Sequence, residues 1–313
     1  MKKLTLKTTA YRFLEQSFAE WLDILGYAPS TVQAFPIHVR EFLHYLETHN
    51  HTHINQIDIP IIKTYYRHLS QRANQRLGGG LSNNYLNQHL SAIEKLLDYL
   101  RKQGRILLPP TGIPLESPNP QPITPLTTGQ IKQLYQATTT YEDQYPELAS
   151  RDRALLAVYY DCGLRRNEGV NLNHTDIHFD NRLLHVRQAK GGKSRLVPFS
   201  RTTGKYLEHY RYDARPQLLN PNKTHEEAFF ISRRGDRANG NTLNTRLKYM
   251  QKHTDCPILQ QKPLHLHLLR HSIATHLLYQ GMTIEKVSQF LGHQSLESTQ
   301  VYTHLVDRSF SEG

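Results

Sequence analysis

Residues 265–304 read HLHLLRHSIATHLLYQGMTIEKVSQFLGHQSLESTQVYTH, which sets His267, Arg270, His293 and Tyr302 in order over 36 residues. Their chemistry is complementary. A guanidinium presents a planar fork of donors that matches two phosphate oxygens. A phenol beside such cations is a nucleophile in waiting. On a helix, His267, Arg270 and His271 fall at i, i+3 and i+4 and share one face or its margin. The rival reading is a metal site, because His267 and His271 have the H-x-x-x-H interval. The glutamate of a metalloprotease helix is missing, position 268 being Leu268, and no Asp or Glu lies between 256 and 284 to complete a ligand set. No metal and no cofactor is therefore expected.

Two further basic points lie upstream. Arg165 stands in DCGLRRNEG, with Glu168 near enough in sequence to hold an arginine in place. Lys190 stands in AKGGKSRLVP, together with Lys193 and Arg195. The tripeptide Gly192-Lys193-Ser194 suggests a phosphate-binding nucleotide loop, but that loop needs a glycine at position 187, which is Arg187. It also needs a helix after it, whereas RLLHVRQ and SRLVPF both read as strands around a Gly191-Gly192 turn. ATP binding through this segment is excluded.

The chain has 313 residues, 38% of them hydrophobic, with 18 Tyr and 10 Phe, which is enough for two domains with real cores. A net charge of +11 points to a polyanionic partner, since each phosphate contact releases condensed counterions. Two cysteines, Cys162 and Cys256, lack paired spacing and fit a reducing compartment without structural zinc. No signal peptide and no apolar span of about 20 residues is visible. The expectation is a cytoplasmic, nucleoid-associated protein with no membrane partner.

Residues 1–105 carry four runs of apolar residues at helical spacing: from Phe13 to Leu25, from Val32 to Leu46, from Ile61 to Leu69 and from Leu86 to Leu100. Ser30-Thr31 and Ser82-Asn83 are the expected caps of the second and fourth. Residues 106–126 form a linker, because seven prolines within 17 positions exclude a helix interior or a central strand. A stiff, extended connection is expected. Residues 127–313 read as a second, mostly helical domain with a small antiparallel sheet. Its helices are expected near 202–213, 241–254, 268–279 and 283–290, with the run ALLAVYY as a buried helix.

Taken together, these motifs resemble the tyrosine recombinases of the phage-integrase superfamily, closest in layout to the Xer-type site-specific recombinases. CGLRRNEGVNLNHTDI resembles the segment bearing the family's first arginine, AKGGKSRLVPF its lysine hairpin, and HLLRHSIATHLL its histidine-x-x-arginine box. FLGHQSLESTQVYTH resembles the segment with the second histidine and the tyrosine. WLDILGYAPSTVQAF and LSNNYLNQHLSAIEKLLDYL resemble its helical, SAM-like core-binding domain. The resemblance implies a catalytic set of Arg165, Lys190, His267, Arg270, His293 and the nucleophile Tyr302, with Glu168 supporting an arginine. It departs from the family at Ala189, where a glycine is more usual, and at Thr138 to Ser150, where an extra loop is expected.

The resemblance also implies a reaction. Cations stabilise charge on the nonbridging oxygens of a phosphodiester. Tyr302 attacks to give a covalent 3′-phosphotyrosine and a free 5′-hydroxyl, and a second strand religates. The partners implied are double-stranded DNA with paired half-sites and a homotetramer, or paired recombinases, on synapsed DNA. The resemblance implies that Leu305 and Phe310 of the tail dock on a neighbouring protomer; packing within their own chain is the alternative. The biological role stays open between chromosome dimer resolution and integration or excision of a mobile element. The alternatives are DNA relaxation of the type IB topoisomerase kind and a non-catalytic DNA-binding regulator.

Overall fold

The structure is a computed structural model that describes residues 4–74, 78–117, 124–187, 194–223 and 227–292. The chain divides into two units, Met1–Gln121 and Pro122–Gly313, each with its own apolar core.

Unit 1 holds four helices: α1 (Thr9–Ile24), α2 (Pro29–Thr48), α3 (Ile59–Gln71) and α4 (Asn83–Lys102). The periodicity that predicts them also sets their buried faces. On α1 that face is Tyr11, Leu14, Phe18 and Leu22. Phe13 lies one residue off it, about 100° round the helix, and is exposed. Val39, Phe42, Leu43 and Leu46 of α2 meet Ile62, Tyr65 and Leu69 of α3 and the leucine face of α4 in one core. Ser82 caps α4 as expected, accepting from the Tyr85 N–H at 3.3 Å. Ser30 does not cap α2. That helix begins at Pro29, and no side chain bonds its first N–H groups; the fixed φ of proline suits the first helical position.

A polar cluster lies inside unit 1. Glu41 pairs with Arg72, and its other oxygen is 3.5 Å from His89 Nε2. His89 Nδ1 is 3.2 Å from the Tyr65 hydroxyl, and its ring centroid is 4.1 Å from that of His38.

The proline-rich segment is not free along its described length. Ile106 is buried in the unit 1 core, and Leu108 and Ile113 pack against it. The Thr111 N–H donates to Glu94 at 2.8 Å, and Glu116 exchanges hydrogen bonds with Asn87 at 2.8 Å each way. A chain poor in N–H donors cannot join a sheet, but its remaining donors and carbonyls find side chains on α4.

Unit 2 begins with α5 (Thr128–Ala137) and α6 (Pro146–Leu156), then α7 (Arg166–Val170). A three-stranded antiparallel sheet follows: β1 (Ile177–His178), β2 (Leu183–Val186) and β3 (Arg195–Pro198), in that order. Leu184 pairs with Ile177 on one side and Val197 on the other. After it come α8 (Arg201–His209), α9 (Arg215–Leu218), α10 (Gly240–Lys252), α11 (Pro257–Gln261), α12 (Leu266–Tyr279) and α13 (Ile284–Leu291). The mostly α chain with a small antiparallel sheet is the architecture expected. The Gly191-Gly192 turn lies outside the described residues.

The segment from Thr138 to Ser150 is largely helical rather than irregular. It makes a 3-10 turn over Thr138–Tyr141, and α6 starts at Pro146, earlier than the apolar run suggests. The cause is a buried carboxylate. Asp152, fully buried, accepts from the Tyr141 hydroxyl at 2.8 Å and from Arg246 of α10 at 2.5 Å, which pulls a polar stretch into the core.

Candidate active site

The buried helix α6 runs into a π-turn at Ala157–Asp161 and stops at Gly163. Gly163 has φ +60°, and a Cβ there would meet Leu291 at 3.0 Å and Phe290 at 3.1 Å. Its bareness therefore lets the end of α13 lie directly on this corner. The next residues turn into α7. The Arg165 N–H donates to Glu168 at 2.7 Å, so the carboxylate satisfies a helix-start donor as an N-terminal acidic residue does.

Three arginines from three distant segments converge on the other side of this corner. The last carbonyls of a helix have no partner within it and carry the negative end of its dipole. At the end of α13 each takes a different guanidinium. Arg195 Nε donates to Phe290 O at 3.3 Å, Arg270 Nη2 to Leu291 O at 2.7 Å, and Arg165 Nη2 to Gly292 O at 2.8 Å. Arg270 Nη1 also donates to Gly163 O at 2.5 Å. The chain immediately after these three carbonyls is the one that carries His293 and Tyr302.

One carboxylate serves all three cations. Glu168 accepts from Arg165 Nη1 at 2.9 Å and from Arg195 Nη1 and Nη2 at 2.9 Å each, while Arg270 Nη1 stands 3.9 Å off. Burial alone would raise its pKa; the Arg195 pair and the Arg165 bonds outweigh that and hold it down to about 2. With Glu168 ionised, one carboxylate stands among three guanidiniums here, counted among the described residues. Arg270 is 1% exposed and Arg165 38%, so Arg165 is the more accessible of the two guanidiniums.

His267 stands in the first turn of α12, one turn from Arg270, with its ring centroid 4.3 Å from that of His271 in an edge-on contact. Desolvation lowers its pKa, and Arg270, His265 and Arg165 lower it further. Burial and the neighbouring cations thus favour the neutral ring. His265 caps α12, its Nδ1 accepting from the Leu268 N–H at 3.1 Å. Among the described residues, no group of three or more His, Cys, Asp or Glu side chains is placed to hold a metal ion.

Of the residues singled out from sequence, Arg165, Glu168, His267 and Arg270 are brought together on this corner. Lys190, His293 and Tyr302 lie outside the described residues. Arg195 is a residue whose role the sequence reading did not assign. It stands in the basic hairpin motif but points inward, 11% exposed. The signal was present: Arg195 is two residues from the buried Val197, and alternate residues of a strand share a face.

A second basic feature lies beside α10. A cleft of about 500 Å³ is lined by Arg151, Arg233, Arg234, Arg237 and Arg246 with few acids. No helix among the described residues is long and apolar enough to cross a membrane.

The likeness to known proteins agrees with this geometry. The N-terminal SAM-like domain of phage integrases matches residues 16–104. A tyrosine recombinase XerC 2 of Ralstonia nicotianae is 30% identical over 94% of this chain and 82% of its own length. A tyrosine recombinase XerD of Pseudomonas putida is 34% identical over 74% of each chain. Two solved structures share the fold: XerH bound to its difH substrate in a pre-cleavage complex, and a lambda integrase tetramer bound to a Holliday junction. The first has TM-score 0.72 at 18% identity over 96% of this chain and 84% of that one. The second has TM-score 0.65 at 16% identity over 93% and 76%. Residues 125–308, which contain the arginine-lined corner, match the phage integrase family, and to that family, the tyrosine recombinases, this chain belongs.

Proposed function

We propose that this chain is a site-specific DNA recombinase of the Xer type, cutting and rejoining strands through a 3′-phosphotyrosine formed by Tyr302. The supporting observation is the convergence of Arg165, Arg195 and Arg270 on carbonyls 290–292, with a single carboxylate among them. A fixed surplus of positive charge on a rigid corner is what a phosphodiester gathering negative charge needs. Arg165, the exposed guanidinium, and Arg270, buried beside it, are assigned to the nonbridging oxygens, with His293 adding a hydrogen bond. His267 is assigned to take the proton of the Tyr302 phenol as its oxygen attacks phosphorus. Lys190 gives a proton to the departing 5′-oxygen. The phosphotyrosine ester keeps the bond energy, so a 5′-hydroxyl from the partner strand reverses the step without ATP or a metal ion.

Strand exchange between two duplexes takes four such sites, so the working form is a tetramer on synapsed DNA. The arginine-lined cleft beside α10 and the net charge of +11 suit a duplex partner. Similarity to Xer recombinases over most of their length supports the Xer-type reading; we take chromosome dimer resolution as the role to test first, with integration or excision of a mobile element as the alternative.

Mapping covalent protein–DNA adducts across the host genome tests this reading. A single locus near the replication terminus is the expected result, and adducts at the ends of a mobile element would replace dimer resolution with integration. Two marked duplexes carrying the mapped site should yield exchanged strands. Relaxation without exchange would mean a topoisomerase, and tight binding without any adduct would mean a regulator.

A further inference from the structure

We propose that Arg195 is a positioning residue that occupies Glu168, so that Arg165 keeps its charge for a phosphate. The inference rests on the recombinase reading above. A lone carboxylate among three guanidiniums goes to whichever offers the better fork, because a bidentate pair is the strongest arrangement open to it. Glu168 gives both oxygens to Arg195 and only one side-chain bond to Arg165, and it stays 3.9 Å from Arg270.

Arg195 is built into that role. It and Glu168 are both 11% exposed, so neither charge faces water freely. Its Nε is tied to Phe290 O. Its aliphatic stem runs against Gly292, where a Cβ would meet Arg195 Cδ at 2.7 Å. The guanidinium is thus pinned at three points, and its charge is spent on Glu168. Without it, the two carboxylate oxygens turn to the nearest remaining donors, which are those of Arg165 and Arg270. Arg165 then meets a phosphate already partly neutralised.

The test uses the full chain and nicked suicide duplexes carrying the genome-mapped site, with either a phosphodiester or a neutral methylphosphonate at the scissile position. With the phosphodiester, Arg195→Met is expected to slow covalent adduct formation by about 100-fold, the scale of a misplaced catalytic group. With the methylphosphonate, which has no charge for the arginines to neutralise, most of that deficit should vanish. Adding Glu168→Gln to Arg195→Met should restore part of the phosphodiester rate, since a neutral amide no longer competes for the cations.

An equal loss on both substrates, with no recovery on adding Glu168→Gln, would reduce Arg195 to a structural residue and overturn the proposal. Where Arg195→Met melts below the assay temperature, Arg195→Lys, which keeps the charge but not the fork, is read by the same comparison. A wild-type chain that binds the duplex and forms no adduct would overturn the recombinase reading instead.

Discussion

Arg195 Nη1 and Nη2 each lie 2.9 Å from one oxygen of Glu168, so strand β3 is tied to helix α7 by a two-pronged ion pair. That pair joins residues 27 apart in sequence and stands where α13 ends. Removing the acid leaves buried guanidiniums facing each other across an empty position. Glu168→Ala should therefore destabilise unit 2 by about 3–5 kcal/mol, the usual cost of stripping one partner from a buried ion pair. Urea unfolding of the two chains measures it, and a change within about 0.5 kcal/mol, typical of surface substitutions, would contradict it.

The same carboxylate sets an acid limit. Its pKa falls from 4.5 to about 2 on folding, because Arg195 and Arg165 outweigh the effect of burial. A depressed acid contributes stability that is complete above the unfolded value of 4.5 and is lost as pH falls through 4.5 toward 2. The full shift corresponds to about 3 kcal/mol. Unit 2 should lose stability over that window, and Glu168→Gln should remove part of the dependence; equal pH profiles for the two chains would deny the linkage.

Unit 1 has its own titration at milder pH. His89 is buried, and desolvation, with His38 and Arg72 adding to it, lowers its pKa from 6.5 to about 3. The unfolded chain then binds more protons than the folded one between those values. Stability is full above pH 6.5 and falls as pH drops toward 3. Trp21, the sole tryptophan, lies against the unit 1 core and reports its unfolding. The urea midpoint followed by Trp21 fluorescence should fall between pH 6.5 and 4.5 in the native sequence and stay flatter in His89→Gln.

Gly292 is needed for two reasons at once. Its φ is +66°, and a Cβ there would meet Arg195 Cδ at 2.7 Å. Gly292→Ala should cost about 1–3 kcal/mol through the left-handed backbone and should also push Arg195 off Glu168. Loss of adduct formation together with a lowered melting temperature is the expected result. A fully active, equally stable Gly292→Ala chain would show that Arg195 has room to move.

Much of this was legible in residues 265–304 and the two upstream motifs. The four helices of unit 1 followed from apolar spacing, and two of the sheet's three strands from the runs RLLHVRQ and SRLVPF; β1, only two residues long, was not foreseen. Arg165, Glu168, His267 and Arg270 do come to one corner. What sequence reading missed turns on buried polar groups. Asp152 drew the segment from Thr138 into the core, although its composition reads as a loop. The prolines before Ser117 argued for a stiff, extended connection, but composition alone did not show that their neighbours bond to α4. The pairing of Arg195 with Glu168 went unread because the acid is distant in sequence. Periodicity records which side chains avoid water; it does not record which charge waits at the other end of a long contact.

The central claim is that Tyr302 becomes linked to a 3′-phosphate beside this arginine cluster. Covalent adducts trapped on a suicide duplex of the mapped site can be digested with protease and nuclease and read by mass spectrometry. The account predicts a peptide spanning Tyr302 that carries a nucleotide 3′-phosphate, and no adduct from Tyr302→Phe. A linkage to another residue, or a 5′-phosphate on the peptide, would contradict it.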